Sequence, residues 1–398
     1  MAEGSRVRLV VAVAMNVRWL AFEWLAERLD RERFELSFLL LGDGEPPLAP
    51  FLRQRGIPFV HLRYRGKRDL ARCTVEAYRY CRAAGVDAIH THFFPAHFAG
   101  LLGAWLAGVP LRVQTRHHST FHYRYRRAAA LYDRFFNALA TRIVAPSEVV
   151  KRVLVEREGV DPRKVVRIDH GFALDRFAEV PAAEVAELAG RYLPPGAGPV
   201  VGVVARYIEC KGVQHVIPAF RRLLASYPSA FLVLANARGG DGRLIRRELA
   251  ALPAGRYVEI PFEPNVSALY KLFDLFVHAP VDPDIEAFGQ VYVEALAAGV
   301  PAVVTRSGIG QEILEHGVNA WIVAPADSEA IHQGCASLLA DPALRERLAR
   351  AGERTVRERF SLERMMAALE RLYLDGGGRR LTGPGGSAAS AGRTPPGR

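Results

Sequence analysis

"LPPGAGP" (Leu193–Pro199), followed at once by "VVGVVAR" (Val200–Arg206), decides how this chain is built. Three prolines and two glycines in seven residues stop any regular element. The valine run that follows is short, almost wholly apolar and closed by a charge, so it reads as a buried strand. Before the break, apolar runs of the same kind recur: "RLVVAVA", "ELSFLLL", "PFVHL", "DAIHTH", "LRVQTR", "RIVAPS" and "KVVRID". After it come "AFLVLAN", "YVEIPF", "LFVHAP", "PAVVTR" and "AWIVAP". Helical periods such as "WLAFEWLAERLD" and "LARCTVEAYRYCRAAG" lie between most of them. Val/Ile/Leu runs alternating with helices imply parallel sheets covered on both faces. The pattern therefore predicts an α/β chain of two doubly wound, Rossmann-like domains, residues 1–180 and 181–375. "SLERMMAALERLYLD" (Ser361–Asp375) closes the chain as an amphipathic helix, and residues 376–398 have the composition of a disordered basic tail.

The bulk numbers agree with that reading. A length of 398 residues suits two domains better than one, and a hydrophobic half is enough for two cores. The four cysteines (Cys73, Cys81, Cys210, Cys335) show neither a CxxC nor a metal-type spacing, which predicts reduced, structural thiols in a cytoplasmic protein. The opening residues read as a first strand rather than a signal peptide. The longest mostly apolar run, Phe98 to Leu111, is too short to span a bilayer. Charge is uneven: residues 1–180 hold 29 Lys and Arg against 19 Asp and Glu, whereas residues 181–375 hold 20 against 23. Different partners for the two halves would account for this, and so would plain solubility charge.

Groups fit for chemistry gather where strands end and helices begin, the place where doubly wound folds bind ligands. In "RYIECKG" Arg206 and Lys211 stand five apart, ahead of a helix starting near Gly212. Two cations facing a helix N-terminus suit an anionic diphosphate, although two surface cations in a loop would read the same. In "VDPDIEAFG" Glu286 precedes a helix opening near Gln290, where the amides of Phe288 to Gln290 point at whatever binds in front and Gly289 allows close approach. Glu294 lies a turn inside that apolar helix. Either it faces solvent, or a polar partner such as a ribose with vicinal hydroxyls meets it.

"RYIECKG" resembles the Arg-x4-Lys-Gly of retaining GT-B glycosyltransferases, and "EAFGQVYVEALAAGVPAVVT" (Glu286–Thr305) resembles their E-x7-E motif. The match is to glycosyltransferase family 4, with further echoes in "TRHHS", "APSEVVKRVL" and "IDHGFALDRF", over roughly residues 6–375. The resemblance implies a GT-B architecture whose two domains face across a cleft, with a donor site in the second domain and an acceptor site in the first. It assigns Arg206 and Lys211 to the donor diphosphate and Glu294 to the ribose. Glu286, with the amides of Phe288 and Gly289, would hold the transferred sugar. His117 or its neighbour His118 would sit near that sugar, and Phe262 with Glu263 near the base. It implies no metal and no cofactor beyond the nucleotide sugar, so "DPD" (Asp282–Asp284) reads as loop.

Three stretches depart from the family pattern. "AMNVRWL" stands where a Gly-Gly pair is common, leaving Asn16 and Arg18 as substitutes. "SGIGQE" (Ser307–Glu312) replaces a Gly-Gly-x-x-Glu turn. His170 and Ala173 replace Asn and Asp.

The segment Arg112–Arg142 carries seven Arg, several aromatics and one acid, Asp133. It suits an anionic membrane surface bearing a lipid-linked acceptor, or a plain solvated face. A nucleic-acid surface is the weakest reading, because no such motif accompanies it. The expected protein is a retaining transferase of cell-envelope glycan or lipopolysaccharide synthesis, in the cytoplasm or peripheral on the membrane's cytoplasmic face. A nucleotide-sugar 2-epimerase of the same fold and a binding protein that has lost transfer are the rivals.

Overall fold

A computed structural model describes residues 6–14 and 19–376. Of the tail expected from residue 376, Gly376 instead ends the last helix; the rest of it, with Asn16 and Arg18, lies outside the described residues. Each apolar run quoted above forms a strand. The first half supplies β1 (Val7–Ala14), β2 (Phe34–Gly42), β3 (Phe59–Arg63), β4 (Ala88–His92), β5 (Leu111–Thr115), β6 (Arg142–Ala145) and β7 (Val165–Arg167). The second supplies β8 (Val200–Val204), β9 (Phe231–Ala235), β10 (Tyr257–Ile260), β11 (Leu275–His278), β12 (Ala302–Val304) and β13 (Trp321–Ile322). They form a seven-stranded sheet, β3-β2-β1-β4-β5-β6-β7, and a six-stranded sheet, β10-β9-β8-β11-β12-β13. Every pairing is parallel. Central strands such as β4, β8 and β9 are buried along their whole length, as strands covered on both faces must be.

Strand order reverses between β1 and β4 in one sheet and between β8 and β11 in the other. A crevice opens beyond the strand ends at such a reversal. Two glycines shape the second crevice. Gly212 (φ +71°) starts the helix Val213–Leu223 so close to the exit of β11 that a Cβ would lie 1.8 Å from the Ala279 carbonyl oxygen. Gly289 (φ +88°) turns the chain into the helix Gln290–Ala297, and a Cβ there would strike the Tyr292 ring at 2.6 Å. Both positions need glycine for conformation and for space.

The halves are tied together. The last helix, Leu362–Gly376, returns to the first sheet, where the Tyr373 hydroxyl bonds His90 Nδ1 at 2.7 Å and the Asp30 amide donates to Glu370 at 3.0 Å. Across the cleft the Thr120 hydroxyl donates to the Asp284 carbonyl at 2.9 Å, and Arg152 pairs with the Asp284 carboxylate at 2.6 Å. Asp282 pairs with Arg124. The acidic "DPD" stretch is indeed loop, and its charges face the basic first half. Glu312 joins the same seam, pairing with Arg167 at 3.0 Å and Arg359 at 2.5 Å. Four free, buried cysteines complete the core. No helix among the described residues is long and apolar enough to cross a membrane.

Candidate active site

A cavity of about 850 Å³ lies between the two sheets and is lined from both sides. The first half contributes Trp19, Phe93, His117 and His118, and the second Arg206, Lys211, Glu286 and Glu294. Residues up to 280 apart in sequence share this cleft because both strand-order reversals open onto it.

Glu286 is 7% exposed. Lys211 Nζ donates to its Oε1 at 2.5 Å, and His278 Nε2 lies 3.2 Å from the same oxygen. Burial alone would raise this carboxyl, but the Lys211 ammonium and the His278 ring hold it well below the usual carboxylate range. Glu286 is thus an ionised acceptor, able to take hydrogen bonds from hydroxyls. Its own amide is fixed by the Ser307 hydroxyl at 3.2 Å, which in turn donates to the Asp282 carbonyl at 2.8 Å. Ser307 therefore shapes the Glu286 turn, whereas Glu312 from the same turn faces the first half.

Arg206 is exposed at the cavity wall, and among the described residues its guanidinium makes no hydrogen bond or ion pair. The amides of Phe288, Gly289 and Gln290 find no acceptor there either. An unpaired guanidinium and unclaimed helix-start amides in one cleft are groups able to take an anion. Gly212 does not face the cavity but presses on Ala279. The Phe288 ring also turns inward, against Phe172 and Phe360, so only its backbone serves the cleft.

Glu294 is buried, 6% exposed, which removes the solvated alternative. Tyr270 Oη donates to one of its oxygens at 3.0 Å and Gln290 Nε2 to the other at 2.6 Å. Burial raises its carboxyl, and these two donors only partly oppose the rise. Gln290 therefore reaches the site through Glu294. Beside it Phe262 stands 53% exposed with Arg238 5.7 Å over its ring, a flat apolar platform. Tyr192 and the Asn265 amide hold Glu263 at 2.6 and 2.8 Å.

The two candidate histidines differ in their bonds. His117 stacks on Phe93 at 4.5 Å, and its Nε2 lies 3.0 Å from His92 Nδ1. Burial pushes it well down from its ordinary value, with His170 adding to the effect, so it is a neutral imidazole. His118 Nε2 lies 3.1 Å from Asp133, which also holds His122 Nδ1 at 2.7 Å. Burial lowers His118 too, while Asp133 opposes the shift.

Sequence reasoning did not pick out His278, Tyr270 or the Asp133–His122 contact. The strand-end position of "LFVHAP" was the one available signal for His278. The basic segment proves less free than its composition suggested. Arg112 bonds backbone carbonyls, Arg116 is buried against Glu158 at 2.8 Å, and Arg124 pairs with Asp282. Arg126, Arg127 and Arg134 are exposed.

Comparison with known proteins bears on the family and the fold. The family model described as Glycosyltransferase Family 4 matches residues 23–176, and that described as Glycosyl transferases group 1 matches residues 186–355. The chain is 23% identical to N-acetyl-alpha-D-glucosaminyl L-malate synthase of Bacillus anthracis, over 73% of this chain and 75% of that one. It is likewise 23% identical to the capsular polysaccharide biosynthesis glycosyltransferase CapM of Staphylococcus aureus, over 69% and 74%. Among solved structures, HepE of Anabaena in complex with UDP and glucose superposes with a TM-score of 0.79 at 19% identity, covering 93% of this chain and all of that one. The two matched models lie one on each sheet, and the chain belongs to the GT-B glycosyltransferases of family 4.

Proposed function

We propose that the protein moves a sugar from a nucleoside diphosphate sugar to a hydroxyl of a glycan or lipid-linked acceptor, with retention of configuration, in cell-envelope polysaccharide synthesis. One observation carries the reading: the unpaired Arg206 and the unclaimed amides at 288–290 share a cavity with buried Glu294. The diphosphate takes the cations and amides, and the ribose hydroxyls share Glu294 with Tyr270 and Gln290. The base lies along Phe262. Ionised Glu286 accepts from the sugar, and neutral His117 offers it a further hydrogen bond. His118 is already engaged by Asp133, so His117 is the histidine assigned to the donor.

The sugar–phosphate bond breaks toward Arg206 and Lys211, whose fixed charge meets the growing negative charge without reorganisation. The acceptor oxygen bonds to the same carbon from the face the diphosphate leaves. Its proton passes to the departing phosphate oxygen, because Glu286 is held by Lys211 and Glu294 by the ribose. No metal is assigned to the diphosphate. A thermal-shift series with UDP, GDP, ADP and their sugars, in EDTA, tests the donor site, since a ligand of the folded state raises apparent stability. One nucleotide class should stabilise the protein, and Arg206→Ala should abolish that shift. No shift with any of them refutes the site. The anomeric configuration of the product then tests retention.

The exposed Arg126, Arg127 and Arg134 lie beside Leu131 (68% exposed) and Phe135 (38%) on or next to the helix Ala129–Leu139. Cations beside exposed apolar side chains support peripheral attachment to an anionic membrane, which would present a lipid-linked acceptor.

A further inference from the structure

Asp133 lies on the helix Ala129–Leu139, and its carboxylate meets two imidazoles from a neighbouring stretch, His118 and His122, four residues apart. All three side chains line the large cavity on the first-half side. His118 Nε2 is 3.1 Å from Oδ1, His122 Nδ1 is 2.7 Å from Oδ2, and the ligand-capable atoms of the three lie within 4.8 Å of one another. Donors about 2.1 Å from one ion, at tetrahedral or octahedral angles, stand about 3.0–3.4 Å apart. The two imidazole–carboxylate contacts are near that spacing, and closing the remaining separation, no more than 4.8 Å, puts three ligands on one face of a single cation.

Asp133 is 3% exposed. Arg116, 3.5 Å from Asp133, is committed to Glu158 by two contacts of 3.0 and 2.8 Å, and Glu158 is itself fully buried. Arg116 is thus shared between Glu158 and Asp133, and the Asp133 carboxylate is held between this guanidinium and the two imidazoles. His118 and His122 are 24% and 19% exposed, so the cluster can be reached from the cleft.

We propose that His118, His122 and Asp133 bind one divalent transition cation of the zinc type on the acceptor side of the cleft. Two imidazoles and one carboxylate select zinc-like ions over magnesium or calcium. The remaining coordination positions face the cavity and take an oxygen of the acceptor. The assignment is separate from the donor reading, since none of the three residues is asked to hold the nucleotide.

The test is titration of the untagged full chain, stripped with EDTA, with Co²⁺, whose visible absorption reports ligation, followed by Zn²⁺ competition. The wild type should take up one equivalent, displaced by Zn²⁺, and Zn²⁺ should raise its melting temperature. His122→Ala should weaken binding at least about 100-fold, since removing even an outer partner costs 10- to 100-fold. His332→Ala, on the helix Ser328–Ala340, should not change it. His122 is at the cavity rim, so its variant decides the matter even if Asp133→Asn fails to fold. Nucleotide-induced stabilisation should survive in His122→Ala. Wild-type Co²⁺ binding no tighter than that of His122→Ala would overturn the proposal and leave the triad a hydrogen-bonded cluster.

Discussion

Lys211 and Arg206 are assigned the same ligand, yet the structure gives them opposite roles in stability. Lys211 Nζ sits 2.5 Å from Glu286, and at an effective dielectric of about 20 the gross attraction is about 7 kcal/mol. Desolvation of the carboxylate offsets much of it. Removing one partner of such a pair costs about 3–5 kcal/mol, because the other is left buried and charged. Lys211 is one-fifth exposed, which places the cost of Lys211→Met at about 3 kcal/mol. The pH dependence has a definite sign. The Glu286 carboxyl is depressed on folding, so its contribution is complete above its ordinary value of 4.5 and declines as pH falls below that. The stability gap between wild type and Lys211→Met should thus be widest near pH 7–8. It should narrow by about 1.4 kcal/mol per pH unit below the ordinary carboxylate range. Urea unfolding across pH measures it, and adding Glu286→Gln to Lys211→Met should recover most of the loss. A Lys211→Met protein as stable as wild type at pH 7.5 would refute the ion pair, and with it the reading of Glu286 as an ionised sugar acceptor.

Arg206→Ala should leave urea unfolding within about 0.5 kcal/mol of wild type, since the guanidinium pairs with nothing among the described residues. Turnover should nevertheless fall about 10²-fold or more, as for other lost charge stabilisers; unchanged turnover at saturating donor would reject the diphosphate assignment. Glu294→Ala strands the buried Tyr270 hydroxyl and should cost about 1–3 kcal/mol of stability. Glu294→Gln keeps the shape and should weaken nucleotide binding about 10-fold or more by calorimetry, with 2′-deoxynucleotides showing no such loss. Joint replacement of Arg127 and Arg134 by Glu should reduce pelleting with anionic vesicles at low salt, and wild-type protein that never pellets would remove the membrane reading.

The central strands were legible because a strand buried on both faces has almost no freedom of composition: "VVGVVAR" and "AFLVLAN" have few other uses. The meeting of Arg206 with the 288–290 amides was legible for a related reason, since both follow strands, β8 and β11, that turn out to flank the strand-order reversal. What stayed hidden was pairing over distance. Glu294 on an apolar helix announced that something polar must meet it, but its first partners are Tyr270, twenty-four residues away, and Gln290, one turn back. Charge was equally easy to count and hard to aim. Seven arginines in Arg112–Arg142 looked like one surface, yet Arg116 neutralises a buried glutamate and Arg124 reaches across the cleft to Asp282. "DPD" carries the complementary charge, so the basic first half is partly explained by the acidic loop it holds. A cation's partner is settled by which way its strand or helix faces, and periodicity specifies that only for side chains that must avoid water. Arginine need not, and for that reason the segment with the strongest composition signal was the one whose role composition described least well.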